Sequence, residues 1–230
     1  MTTYKPLMDF SFNGMPFETI LENHKRWVES KGLEGNCAVI NNISLRKANL
    51  EYADMRTVIM PDADLGEANL MNVTLRGANI RNGILKGANL QMVVCRFADM
   101  RGADLSESNL SEADLRDTDL REAIFTRASL TDANLRCANL ERADLRNTNL
   151  EFADFSETNL KGADLREANL LLTNLSRANL ANADLRDVVN INAGQLAKAE
   201  SLYETKFDDE ILAEIKTNHP SLLEPPGTPD

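Results

Sequence analysis

The side chains that could do chemistry in this chain are either too scattered or too regular to make a reaction centre. Its two histidines, His24 and His219, stand near opposite ends. Cys37, Cys95 and Cys137 are an odd number of thiols without close pairing, which fits neither a disulfide framework nor a CxxC metal site. No Ser, Cys or Lys is coupled to a base by a recognisable motif, and no glycine-rich phosphate loop occurs. Carboxylates are abundant, and an Asp-rich surface could bind divalent cations. Yet Asp64, Asp104, Asp144, Asp164 and Asp184 recur along one column, with Arg146, Arg166 and Arg186 nearby as simpler partners. The expectation is a protein that is not an enzyme and that uses no metal or cofactor.

That recurrence belongs to the element that positions the rest of the chain. From Ala38 to Val188 a five-residue phrase runs without a break, as in Ala48-Asn49-Leu50, Ala103-Asp104-Leu105 and Ala183-Asp184-Leu185, each followed by two free positions. Every fifth residue from Ile40 to Leu185 is Leu, Ile, Met, Phe or Cys, and two residues earlier stands Ala or, less often, Ser, Thr, Gly, Val or Ile. A helix advances about 100° per residue, so a period of five smears the apolar stripe around the cylinder. A strand, with a side-chain period of two, sends successive Leu residues to opposite faces. Left in water, each of these side chains forfeits roughly 1.5 to 3 kcal/mol. The backbone must therefore corner repeatedly, keeping i−2 and the central residue i inward while i−1, i+1 and i+2 point out. Units this short cannot bury a core singly and must stack as a solenoid.

Ala-Asp/Asn-Leu-x-x in tandem resembles the pentapeptide repeat protein family over about two thirds of the chain. The resemblance implies an all-β solenoid, a right-handed quadrilateral parallel β-helix in which four pentapeptides make a square coil of twenty residues. The period of five alone leaves the number of sides open. With that coil length, residues twenty apart stack about 4.8 Å from each other, which gives about seven to eight coils and a rod of roughly 36 Å.

The outward positions then read as columns. On the side centred on Leu50, Leu70, Leu90 and their successors, the i−1 column is Asn49, Asn69, Asn89, Asn109, Ser129, Asn149 and Asn169, expected to hydrogen-bond amide to amide. This side carries no Lys or Arg at i+1 or i+2; its charges are Glu51, Glu112, Asp132 and Glu151. It also projects Tyr52, Met71, Met92, Phe152, Leu171 and Leu172, and a contiguous apolar patch tends to mark a contact surface. Tyr52, Met71, Met92, Glu112, Asp132, Phe152, Leu171 and Leu172 are thus the candidate interaction face, its alternative being coverage by a terminal segment. The next side holds a basic column, Arg56, Arg76, Arg96, Arg116 and Arg136, and its neighbour adds Arg81, Arg101, Arg121 and Lys161. Like charges at that spacing repel unless compensated. Asp54, Asp114, Asp99 and Asp119 at i−1 offer compensation, and the alternative is an anion-binding stripe.

Outside the repeats the pattern changes. Residues 8–17 alternate Phe with polar residues around Asn13-Gly14, a hairpin or a strand laid on the first coil. Glu18 to Lys31 has helical spacing, with Gly32 as its stop and His24 and Trp27 on the packed face. After Leu185 the phrase decays, Asp208 is placed to N-cap a second helix, and Glu224 to Asp230 reads as a frayed tail. The organisation expected is an N-terminal strand or hairpin with a capping helix over 1–37, the rod over 38–188, and a closing turn with a capping helix over 189–230. Few aromatics suggest a core too narrow for rings. No signal peptide or membrane span is recognisable, so a soluble, cytoplasmic protein is expected.

Two functional readings follow from this shape. The first is a rigid scaffold that binds a protein partner whose identity stays open, or a second copy of the chain through the C-terminal cap or the apolar-bearing face. The second is what the resemblance implies: some pentapeptide repeat proteins mimic B-form DNA and bind DNA gyrase or topoisomerase IV, inhibiting or protecting these type II topoisomerases. Duplex DNA carries one charge per about 1.7 Å, so a rod of this length would need about twenty negative charges. The net charge is −11, of which about −5 lies in residues 188–230 rather than in the repeats. Scaffold is therefore the first reading and DNA mimic the alternative. The negative balance also argues against direct nucleic-acid binding.

Overall fold

Stacking requires that each of the five backbone N–H groups in a repeat find an acceptor. In the computed structural model, which describes residues 3–225, repeat 68–72 shows how they do so. Ala68 N–H closes the preceding corner on Leu65 C=O at 3.0 Å, and Asn69 N–H reaches down one coil to Ala48 C=O at 2.9 Å. Leu70 and Asn72 reach up one coil, to Asn89 C=O at 2.7 Å and Gln91 C=O at 3.0 Å. The fifth, Met71 N–H, has no backbone acceptor and donates to the side-chain Oδ1 of Asn69 at 3.3 Å. An Asp or Asn at i−1 is thus part of the backbone hydrogen-bond pattern, which is why the phrase keeps that residue type.

The inter-coil bonds form four parallel ladders, begun by Val39 with Ile59, Ser44 with Asp64, Asn49 with Asn69 and Asp54 with Thr74, each step twenty residues long. At the corners the i+2 residue takes the left-handed conformation, as at Tyr52 (φ 61), Met92 (φ 56) and Phe152 (φ 59). Side chains at i−2 and i point inward. Leu105, Leu130 and Leu165 are buried at the centre, and Ala103, Ala128 and Ala163 lie under the sides. Where a hydroxyl replaces Ala at i−2 it is satisfied inside: Thr118 donates to Cys95 C=O at 2.9 Å and Thr148 to Phe125 C=O at 3.0 Å. Phe125 and Phe155 are fully buried centres, so the core does admit single rings.

At the N-terminal end, β1 (Ser11–Phe12) and β2 (Met15–Pro16) form the hairpin around Asn13-Gly14, and Lys5 pairs in parallel with Ala48. Helix α1 (Phe17–Glu29) follows. His24 on α1 is fully buried and stacks on Trp27 at 5.8 Å. Its Nδ1 accepts Ala38 N–H at 3.0 Å, so the ring proton sits on Nε2, which donates to Arg56 C=O at 2.7 Å. One imidazole thereby satisfies a donor and an acceptor on the first coil.

Beyond Leu185 the ladder does not stop. A short helix, α2 (Ala193–Leu196), is held by a reciprocal box in which Asn192 Oδ1 accepts Gln195 N–H and Gln195 Oε1 accepts Asn192 N–H. It adds two residues to the coil, so that Asn179 pairs with Ser201 and Asp184 with Lys206 at a step of twenty-two. Leu202 and Phe207 are then buried. Helix α3 (Asp209–Asn218) packs Ile215 inward. Asp208 precedes α3 but does not cap it with its side chain; its carboxylate accepts Asp187 N–H instead. The expected tail beyond Pro225 lies outside the described residues.

Replacing His24 with Leu fills the space with an apolar side chain but strands the Ala38 N–H, at roughly 1–3 kcal/mol for a buried unpaired group, and leaves the Arg56 C=O with the Thr57 hydroxyl as its partner. Hydrogen exchange should show α1 and residues 38–40 losing protection while amides near Leu130 keep theirs. Uniform protection across α1 in the variant would contradict this assignment.

Candidate interaction surfaces

Seven of the outward arginines are paired within the repeat that carries them. In Asp54-Met55-Arg56 the Arg Nε donates to Asp Oδ1 at 2.8 Å and Nη2 to Oδ2 at 2.5 Å. The same fork recurs from Arg101 to Asp99, Arg116 to Asp114, Arg121 to Asp119, Arg146 to Asp144, Arg166 to Asp164 and Arg186 to Asp184. The i−1 and i+1 side chains leave the same side of the rod two residues apart, which suits a bidentate guanidinium. The carboxylate also accepts the Arg backbone N–H, as Asp99 does from Arg101 at 3.4 Å. The bonded guanidinium holds the carboxyls of Asp54, Asp99, Asp114, Asp119, Asp144 and Asp184 below the usual carboxylate range.

The basic column therefore divides. Arg56 and Arg116 are chelated by their own Asp, and Arg136 reaches Glu157 in the next coil at 2.8 Å. Arg76 and Arg96 have Thr74 and Val94 at i−1 and form no salt bridge among the described residues; both guanidiniums lie 5.5 Å from the ring of Phe97. Phe97 is exposed. Nothing in the charge pattern singled it out, although it breaks the polar habit of its column.

The candidate interaction face also divides. Tyr52, Met92, Phe152 and Leu172 all occupy left-handed corners of one column, with 72%, 42%, 49% and 66% of their surface exposed. Glu112 and Asp132 occupy the same column between Met92 and Phe152, so the apolar groups form separate patches rather than one. Met71 and Leu171 at i+1 are half-buried; the Leu171 C=O accepts Phe152 N–H at 2.9 Å. Tyr52 stands beside α1 in a shallow groove with Leu7, Leu21 and Lys25. The asparagine column stacks amide to amide from Asn49 through Asn69 to Asn89, at 2.9 and 3.2 Å. Farther up, Ser129 interrupts it: Asn149 donates to Thr131 and Asn169 to Glu151.

Among the described residues no group of His, Cys, Asp and Glu is arranged to hold a metal ion, and no helix is long and apolar enough to cross a membrane. Cys95 is a buried centre, its thiol pushed up to about 12 by burial. Cys137 is exposed at a corner, its Sγ 3.9 Å from Glu157.

The pentapeptide repeats family model matches eight copies over residues 62–91, 88–127, 123–162 and 153–189. Proteins of this family fold as right-handed quadrilateral β-helices, in keeping with the four ladders, and are in general structural and interaction proteins. Among solved structures, HetL, a pentapeptide repeat protein involved in heterocyst differentiation regulation from the cyanobacterium Nostoc, is 30% identical over 73% of this chain and 84% of its own, with a TM-score of 0.24. QnrB1, a plasmid-mediated fluoroquinolone resistance protein, is 15% identical over 79% of this chain and 96% of its own, at 0.35. Rfr23 from the cyanobacterium Cyanothece is 19% identical over 81% of this chain and 98% of its own, at 0.29. These TM-scores are low, and kinship rests on the repeat match. No curated protein sequence matches the chain.

Carboxyls depressed in the folded state contribute stability that is present above their ordinary range and is lost as pH falls through their folded values. The contribution of the six shifted Asp residues should be constant from about pH 5 to 8 and drain away below about pH 4. Denaturant midpoints across that range test this. Replacing Asp99, Asp119 and Asp144 with Asn should flatten the acid limb, and an unchanged limb would show the forks to be energetically idle.

Proposed function

The chain belongs to the pentapeptide repeat family, and on that premise we propose that it is a non-catalytic, rigid rod whose work is to dock another protein. In this reading residues 1–37 and 189–230 are end segments, with α1 and α3 as caps, on a rod of seven to eight coils over 38–188. The observation that carries it is the placing of bulky apolar side chains at corners. The left-handed conformation favours Gly, Asn and Asp, and a large apolar side chain held there leaves much of its surface in water. Tyr52, Met92, Phe152 and Leu172 bear that cost on one column. Apolar surface that the isolated rod leaves in water is well placed to stabilise a contact. Regularity elsewhere favours the same reading, because seven Asp–Arg pairs close on themselves along the rod. The partner is a separate protein or a second copy, the latter through Phe152 and Leu172 or through the C-terminal segment.

A second reading, a DNA mimic acting on a type II topoisomerase, draws support from the side without Lys or Arg, where Glu51, Glu112, Asp132 and Glu151 stand along the rod. The fluoroquinolone resistance of QnrB1 lies in the same direction. Seven of the aspartates are neutralised by their own arginines, which leaves the rod far short of duplex charge density.

Changing Tyr52, Met92, Phe152 and Leu172 together to Ser should leave the circular dichroism and thermal transition of the rod intact and abolish recovery of the partner on affinity capture from the source cell. Self-association, if that is the contact, should weaken in Phe152→Ser/Leu172→Ser by light scattering; an unchanged mass and an unchanged captured protein would remove this surface from consideration. For the second reading, a supercoiling assay with purified gyrase decides: neither inhibition nor drug protection at micromolar protein excludes it.

A further inference from the structure

We propose that Phe97, Arg76 and Arg96 form a binding site for an acidic, apolar-flanked peptide segment of a partner protein. It rests on the reading of the rod as a protein-docking surface and is centred on a different corner column, sharing only Met92 at its edge with the residues invoked there.

The site exists because the Asp-x-Arg fork fails at two successive coils. Thr74 and Val94 stand where Asp54 and Asp114 stand in the coils on either side, so the guanidiniums of Arg76 and Arg96 have no carboxylate of their own. Among the described residues, the Nε of Arg96 is the one buried side-chain nitrogen or oxygen without a hydrogen-bond partner. That is the atom which, in the seven complete forks, donates to the Asp Oδ1. Both guanidiniums instead lie 5.5 Å from the Phe97 ring, near the limit of favourable cation–π contact. Phe97 is held at a left-handed corner (φ 60) with 51% of its surface exposed, directly after Gly77 in its column, which leaves the neighbouring corner without a side chain. Two cations share one exposed ring, and their mutual repulsion is relieved by an incoming anion.

The surroundings select the kind of anion. Met92, exposed at the adjacent corner, and half-buried Val94 on the intervening side continue the apolar surface of Phe97, which suits Leu or Phe side chains next to Glu or Asp. A nucleic-acid backbone would find two guanidiniums on a chain of net charge −11, with the carboxylates of Glu112, Asp114 and Asp117 one coil away and Asp114 already feeling the charge of Arg96. Asp117 is next to Phe97 in the corner column and repels a carboxylate on that side, so an acidic segment approaches from the side of Gly77.

The test uses the full chain and fluorescence anisotropy of a labelled short peptide alternating Glu with Leu and Phe, against the same peptide with Gln for Glu. Arg76→Ala/Arg96→Ala and Phe97→Ser should each weaken binding at least about tenfold, the loss expected for charge-assisted contacts. Arg101→Ala, which removes an equal charge from a complete fork, should change affinity by less than about twofold. Asp117→Asn should tighten binding. Equal affinity for the Gln peptide, equal loss in Arg101→Ala, or absence of binding at millimolar peptide overturns the site. Displacement by inorganic phosphate or a short DNA duplex at lower concentration than the peptide overturns the assignment of its ligand. Circular dichroism of each variant separates these results from misfolding. If the peptide fails while a Tyr52→Ser/Phe152→Ser/Leu172→Ser variant, which leaves Met92 in place, still loses its partner, this site falls and the docking reading stands.

Discussion

One hydrogen bond to a side chain completes the backbone pattern of most repeats. The amide after the central residue has no backbone acceptor in the parallel ladder, and the Asp or Asn two positions before it supplies one, as Asn69 does for Met71 and Asp104 for Ser106. The other four fall into corner and inter-coil bonds, even in the coils where Thr74 and Val94 stand at i−1, and the chain returns to the same azimuth after twenty residues. The buried Leu column follows from this return. Central residues stack because the ladders are in register, and the ladders stay in register because each buried centre fills one layer.

The same local geometry organises the electrostatics. An i−1 carboxylate that already faces an i+1 amide is also in reach of an i+1 guanidinium, so Asp-x-Arg neutralises itself without recourse to a neighbouring coil. A chain with abundant charge thereby presents a surface of short internal pairs, individually weak where exposed but ordered by the backbone. Departures become informative against such regularity. Thr74 and Val94 release two arginines, and Tyr52, Met92, Phe97, Phe152 and Leu172 put large apolar groups where a rod by itself favours Asn or Gly.

The ends obey a different rule. A terminal coil has ladder groups with no next coil, and each end answers this with side chains rather than another repeat. His24 serves Ala38 and Arg56 at one end, and Gln195 Nε2 donates to the carbonyls of Leu170 and Thr173 near the other. Neither contact continues the phrase, so neither is visible in its periodicity.

Much of the molecule was legible without coordinates. The period of five dictated which residues are inside, down to Cys95 as a core filler and Thr118 in an Ala position, because burial in a tightly cornered chain leaves no other arrangement of Ala and Leu. It also foretold the pairing of Asp54, Asp99, Asp114 and Asp119 with arginines, since those groups are fixed two residues apart. Tertiary structure alone decided the rest. It showed that the asparagine stack breaks above Asn89, that a two-residue insertion at α2 lets the ladder run on to Lys206, that Asp208 turns to Asp187 instead of capping α3, and that Phe97 gathers Arg76 and Arg96. Each of these turns on side-chain reach between coils, a few ångströms of choice that a repeating one-dimensional pattern does not encode.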